Sequence, residues 1–326
     1  MSKKGYEILA SNYRKEAVDT IELNDVYAQV KKYASNPNPA NVYELGQLIK
    51  YTATDILNSR LNWVPQIADT KNGAEGDKPE FITKYSGVVA KVTAKGATPE
   101  VSQIKQKSTV LPTVHISARP KIEYQDLVQR PEMLMEIIEE TVIKMENQLA
   151  QYIQNSAMAV FSTYTNSNYK TGANIVQATL DGQLQAMQRI SPQCSVIGDV
   201  AMLSKLSALV GYTSNPAPSF QEEINNNRFV AVYKQAKVVE LTNRFADETS
   251  IEDDNLVLRK DLLAVVPSGS PAIRPIKVFL GGTVQTRNAT NFEDGSMETI
   301  YFMEVGVGVI GNQKATAFYK DTTITA

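Results

Sequence analysis

The chain has 326 residues, 33 Lys and Arg against 35 Asp and Glu for a net charge of −2, and 43% hydrophobic and 21% charged residues. That length fits two compact domains or one large elaborated one, and the composition is that of a folded protein, which excludes disorder as the main state. The near-neutral balance excludes a dedicated nucleic-acid binder, whose affinity comes from clustered Lys and Arg neutralising phosphates.

A single cysteine, Cys194, excludes an internal disulfide and any multi-Cys metal site. A single histidine, His115, removes schemes that use one His as base and another as ligand. The opening stretch MSKKGYEILASNYRKEA has basic residues but no apolar core, so it does not read as a secretory signal. No run approaches the roughly 18 apolar residues that span a bilayer. The expectation is a soluble, intracellular protein.

In chain order, residues 1–62 read as thinly apolar helices. Ile8, Leu9, Val18 and Ile21 are sparse among charges. Asn36-Pro37-Asn38-Pro39 is a break, after which Val42, Leu45, Leu48, Ile49 and Ile56 restore a helical period. Such helices are expected to act as an arm packed on the main body or on a neighbouring copy. Residues 63–112 change character. After the turn-rich ADTKNGAEGDKP, alternating β-branched and polar residues predict a long hairpin, Phe81–Val92 against Val101–Val110, joined near Lys95-Gly96-Ala97-Thr98-Pro99. A two-stranded ribbon is marginal alone. This one is rich in lysine (Lys84, Lys91, Lys95, Lys105, Lys107) and is either a projecting arm or an edge hairpin guarded by charge.

Thr113–Ala118 reads as a strand and Tyr124–Val128 as a short helical turn. Residues 131–161 then hold the longest single period of the chain: Leu134, Ile137, Ile138, Val142, Met145, Leu149, Tyr152 and Ile153 share one face. Glu136, Glu139, Glu140, Lys144, Glu146, Gln148 and Gln151 fall largely on the others. Pro131 suits a first helical turn. Roughly 31 residues at 1.5 Å each give a rod of about 45 Å, read as a helix across a sheet with Leu134, Ile138, Val142, Met145 and Leu149 facing the core. Residues 172–266 read as a compact α/β unit: a helix broken or started near Asp181-Gly182, a strand Ser195–Ile197 turning into a helix, a polar loop, and the strand KVVELT. The remainder, 267–326, is strand-rich and punctuated by glycine and proline.

Gly306-Val307-Gly308-Val309-Ile310-Gly311 matches the dinucleotide fingerprint, but only 15 residues follow it and no helix is readable there. It reads as a glycine-bearing strand at a crowded packing site. His115 and Cys194 have no orienting third member. The acidic runs lack calcium-loop spacing, and no phosphate-loop, zinc-protease or serine-hydrolase motif is present. No catalytic, cofactor or metal residue is expected.

The order of elements resembles the major capsid proteins of tailed bacteriophages, the Hong Kong 97 capsid fold. The resemblance rests on IEYQDLVQRPEMLMEIIEETVIKMENQLAQYIQNSA leading into a spine helix, SVIGDVAMLSKLSALVG, YKQAKVVELTNRF and IYFMEVGVGVIGNQKATAFYK. It implies an α+β shell subunit: an N-terminal arm (1–62), an extended loop (63–112), a peripheral domain (113–171) with spine helix 131–161, an axial domain (172–266), and a β-rich return to the peripheral domain (267–326). The resemblance further implies pentamers and hexamers in an icosahedral shell around double-stranded DNA, with the loop tip (Lys91, Lys95, Gly96, Pro99) between subunits. Scaffolding, portal and decoration proteins are its candidate partners, and the host bacterial cytoplasm its place of assembly. Neither a fused scaffold nor processing is expected. The alternatives are an encapsulin-type compartment of the same fold and a cytosolic α/β enzyme using Gly306–Gly311 for a nucleotide.

Overall fold

The computed structural model describes residues 5–16, 18–85, 101–163, 168–214, 229–241, 243–245, 255–269, 271–282, 284–291, 295–311 and 313–324, and single positions 90, 92, 95 and 98. Helices α1 (Gly5–Tyr13), α2 (Thr20–Ser35), α3 (Pro39–Arg60) and the one-turn α4 (Val64–Ile67) lead the chain. The side chain of Asp19 accepts Ile21 N–H (2.9 Å) to cap α2, and Asn38 accepts Asn41 N–H (2.9 Å) to cap α3. Pro39 opens α3, where a missing N–H costs nothing. The Asn36–Pro39 break is therefore a boundary between two helices.

Strands β1 (Asp69–Asn72), β2 (Glu80–Tyr85), β3 (Lys105–Val110), β4 (Thr113–Ala118) and β5 (Lys121–Glu123) follow, then α5 (Tyr124–Gln129) and the long α6 (Met133–Phe161). The middle of the chain supplies β6 (Tyr169–Gly172), α7 (Gln177–Gln188), β7 (Cys194–Gly198), α8 (Val200–Leu206), β8 (Tyr212–Ser214), β9 (Phe229–Tyr233) and β10 (Ala236–Glu240). The last part adds β11 (Leu262–Pro267), β12 (Ile276–Leu280), β13 (Gln285–Asn291), β14 (Ser296–Val309) and β15 (Ala317–Asp321).

A six-stranded sheet is built on β14, whose 14 residues serve four partners. β12 and β13 share one side of it end to end, and β4 and β5 share the other; β1 pairs in parallel with β12. A seven-stranded sheet has the order β6-β15-β11-β7-β10-β9-β8. The 267–326 return thus divides. β12, β13 and β14 join the first sheet, whereas β15 inserts between β6 and β11 of the second, antiparallel to β11 and parallel to β6. Tyr319 explains the choice: it is 1% exposed in the second core, and its hydroxyl donates to Asn174 O (2.8 Å) and accepts Val176 N–H (3.1 Å). The second unit accordingly begins at β6, before residue 172, and includes β15.

Helix α6 buries Leu134, Ile138, Val142, Met145 and Leu149, and beyond them Ile153, Ala157 and Phe161. This stripe shares one core with Tyr301, Met303 and Val305 of β14 and with Leu45, Ile49 and Ile56 of α3. Each such fully buried side chain contributes about 1.5–3 kcal/mol relative to exposure. A second core joins Leu180, Leu184 and Met202 of α7 and α8 to Val196, Val238 and Leu263 of the seven-stranded sheet.

Of the two placements expected for the N-terminal helices, the structure shows packing on the main body: Leu9, Val30, Ile49, Ala53 and Ile56 are all 0% exposed. Their face looked thin because part of it is small. Gly46, Thr52 and Ala53 are buried, and a Cβ at Gly46 would collide with the Asn288 amide of β13. Two other local expectations are corrected. Glu146 does not belong to the polar face of α6; it is 9% exposed and paired with Arg60. Helix α7 runs unbroken through Asp181-Gly182, because Gly182 faces open space and Asp181 accepts from the Tyr233 hydroxyl (2.7 Å). One glycine in an exposed helical position costs about 1 kcal/mol, too little to end a helix held by a core.

Candidate assembly surfaces

β2 and β3 pair antiparallel from Glu80↔Val110 to Tyr85↔Lys105. β3 starts at Lys105, four residues after the expected Val101. Of the expected tip residues, Lys95 is described and exposed, while Lys91, Gly96 and Pro99 lie outside the described residues.

The root of this hairpin is fastened to the outer face of the six-stranded sheet. Phe81 is 2% exposed, with Lys71 Nζ 5.2 Å and Lys277 Nζ 5.9 Å from its ring centre. Lys277, itself buried, is held by Asp69 Oδ2 (2.8 Å) and Ala272 O (3.1 Å). Leu111 and Pro112 then cross β14 at its glycines. A Cβ on Gly308 would lie 2.5 Å from Leu111 Cδ2, and one on Gly306 would lie 3.1 Å from Pro112 O. The alternating glycines make a saddle for the returning chain; they lie in the last residues of β14, paired with Phe279 and Lys277 of β12, where a nucleotide fingerprint needs a turn into a helix. The turn before β2 is pinned as well. Hydrogen bonds from the Thr113 hydroxyl and from Gly76 N–H (2.6 Å) hold the Glu304 carboxyl below its usual range, with His115 adding attraction.

The face of the ribbon opposite Phe81 is uncovered: Ile82 is 57% and Val110 53% exposed, and Ile104, just before β3, is 59% exposed. Apolar side chains left in water on a well-anchored ribbon make it a candidate for contact with another chain. A second exposed apolar pair lies at one end of the other unit, where Gln177 Nε2 donates to Val210 O (2.9 Å) beside exposed Val176 and Val210. The core-face residues of α6 take no part in either surface. Sequence reading missed the anchors Phe81, Leu111 and Glu304. The two glycines two residues apart in a strand were the readable signal for them.

The remaining reactive side chains stay apart. His115 belongs to the first sheet, half-exposed, 3.9 Å from Glu75 and edge-on to Phe302. Cys194 belongs to the second, where its thiol donates to Ser191 O (3.2 Å) and burial pushes it up to about 11. Among the described residues, no group of three or more His, Cys, Asp or Glu could hold a metal ion, and no helix is long and apolar enough to cross a membrane.

Two sheets on one long helix, with a hairpin rooted on the outer face of the first sheet, are the Hong Kong 97-like fold of phage major capsid proteins. The similar solved structures include Mycobacterium phage Patience (11% identity, 93% of this chain and 89% of that one, TM-score 0.52). They also include the virus-like particle from Pyrococcus furiosus (9%, 84% and 98%, 0.50) and the acidic stable capsid of Helicobacter pylori bacteriophage KHP30 (10%, 78% and 88%, 0.50). Comparison with curated protein sequences found no match. Residues 2–318 match the family described as "SPbeta prophage-derived putative capsid protein YonB", and the chain belongs to that family. It is a structural capsid protein and not an enzyme, and its place is the virion capsid.

Proposed function

We propose that the protein assembles as pentamers and hexamers into an icosahedral shell around double-stranded DNA, each β2–β3 hairpin lying on the neighbouring subunit. The observation that carries this reading is the contrast between the two faces of the hairpin: one fixed at its root by Phe81, the other with Ile82 and Val110 in water, as is Ile104 just before β3. A lone ribbon gains nothing from such exposure, whereas a neighbouring copy would cover it. Many weak contacts of this kind, repeated around closed rings, stabilise a shell that no single contact could hold. In this reading 63–112 is the extended loop, with Lys91, Lys95, Gly96 and Pro99 at its tip touching the neighbour. Helix α6 is the spine, and the seven-stranded unit is the axial domain that meets at the vertices. The near-neutral charge suits a wall that holds DNA without gripping it. Assembly takes place in the host bacterial cytoplasm, with scaffolding, portal and decoration proteins as partners.

Negative-stain microscopy and sedimentation of the purified protein test the reading. Closed particles with nuclease-protected DNA are expected from infected or induced cells. Monomers or dimers under every assembly condition would overturn it, and particles holding a protein cargo in place of DNA would indicate a compartment shell.

A further inference from the structure

We propose that the groove between β13 and the first turns of α3 binds an extended, uncharged peptide segment of another protein, which adds a strand to the six-stranded sheet. Two independent observations meet there. The first is an open edge. Among the described residues β13 pairs with β14 alone, so the backbone groups on its other side meet no strand. Sheet edges are usually guarded by lysine, proline, bulges or shortness. The seven residues QTRNATN hold an unbroken register with β14, contain no proline and carry one charge, Arg287. Even that guanidinium rests over the Phe302 ring, 5.0 Å from its centre.

The second is a pocket beside that strand. Pro37, Pro39, Val42 and Tyr43 face Thr286 and Asn288 across an open space of about 480 Å³, within the usual range of ligand sites. Thr286 and Asn288 stand two apart on one side of β13, the spacing that an added strand shares. The lining sets the class of ligand. It contains no charged side chain, so an ionised guest would lose water and gain no counter-charge. Asn288 Oδ1 is buried with no hydrogen-bond partner among the described residues. The amide sits this deep because Gly46 of α3 offers bare backbone, where a Cβ would collide with it. Buried polar groups are normally paired, and the amide groups of a peptide match those of Asn288 and Gln47. Tyr43, 63% exposed, completes with the two prolines and Val42 a wall for the apolar side chains of that peptide. Strand addition works in this way: main-chain bonds give affinity, and a pocket for alternate side chains gives specificity. A second copy of β13 would bring no apolar side chain larger than Ala289, so the occupant is a different sequence.

A displayed library of random heptapeptides, selected against the full-length, unassembled protein, tests the proposal. Peptides without charge and apolar at alternate positions are expected to be enriched. A synthetic copy of the leading sequence should bind saturably and slow hydrogen exchange in β13. Two further copies, N-methylated at one or the other set of alternate residues, should differ in affinity by about tenfold or more, because only one set of N–H groups faces β13. Tyr43→Ala should weaken binding by about tenfold, and Thr286→Arg, which places a charge in the pocket, should abolish it. The proposal is overturned by no enrichment, by enrichment of charged peptides, by equal affinity of the two N-methylated copies, by protection that avoids β13, or by unchanged affinity in both variants. Dimers that form without peptide and are lost in Thr286→Arg would also overturn it and give the edge to a second copy. None of these outcomes depends on whether the protein forms shells.

Discussion

Arg60 and Glu146, 86 residues apart, form an ion pair at 2.6 Å with side chains only 14% and 12% exposed, and it joins α3 to the long helix α6. The guanidinium also donates to the Tyr13 hydroxyl of α1, so three helices meet at one charge. Breaking such a pair leaves an unpaired buried charge and costs about 3–5 kcal/mol, whereas replacing both partners by apolar groups is often neutral. Arg60→Ala should therefore destabilise the monomer strongly in urea or guanidinium titrations. Arg60→Met combined with Glu146→Leu should recover most of the loss. A double variant as unstable as the single one would assign the stability to Arg60 packing alone.

The Asp321 carboxylate, at the end of β15, is fully buried. Burial alone would raise its pKa. The hydrogen bonds from Lys205 Nζ (2.7 Å), the Thr323 hydroxyl (2.7 Å), Thr323 N–H (2.8 Å) and Asn174 N–H (2.9 Å) outweigh burial and hold it at about 2. Because the folded value lies below the unfolded one near 3.9, this stabilisation is full above about pH 5 and fades as pH falls towards 2. Asp321→Asn should be less stable than the parent by roughly 2 kcal/mol at pH 7. The gap should close under acid in thermal or chemical melts recorded as a function of pH. A gap independent of pH would show that the ionised carboxylate is not what stabilises the parent.

The saddle under the hairpin root makes Gly308 sensitive to size. With a Cβ already 2.5 Å from Leu111 Cδ2, Gly308→Val must displace Leu111. Overpacking of this sort costs about 1–3 kcal/mol. Limited proteolysis should cut the variant faster between Tyr85 and Lys105 while both cores keep their protection in hydrogen exchange. Equal cleavage rates in parent and variant would refute a role for the glycine in seating the hairpin.

The uncovered face of the ribbon separates folding from assembly. Ile82→Glu and Ile104→Glu change side chains that are 57% and 59% exposed, so monomer stability should move by no more than about 0.5 kcal/mol. Sedimentation should nevertheless show a marked loss of large particles. Full assembly of the double variant would remove the hairpin from the list of subunit contacts.

Much of this architecture was legible because it is local. The step from Leu134 to Ile153 defines α6, and the alternation of TVHISA gives β4 its observed ends, Thr113 and Ala118. The glycine fingerprint read as a strand because too few residues follow it for a nucleotide fold, and β14 bears that out. What stayed hidden depends on partners far away in the chain. Glu146 looks solvated until Arg60 is brought to it. The N-terminal helices look too polar for a core until Gly46, Thr52 and Ala53 count as contact surface. The strand around Tyr319 carries no mark of which sheet it joins. At the hairpin, the pattern gave the ribbon and its lysines, but Phe81, Leu111 and Glu304 became anchors only when the sheet was folded beneath them.

The insertion of β15 has a consequence for how the molecule can be taken apart. The chain lays down the first sheet, crosses to the second for β6 to β11, returns for β12 to β14, and crosses again for β15. The two units are stitched together by several passes of one thread. No single cleavage releases either as an intact module, and trimming from the C-terminal side removes an interior strand of the second sheet before it touches the first. Fragments and chimaeras that exchange one unit must carry at least two splice points, so the subunit is inherited, expressed and lost as a whole.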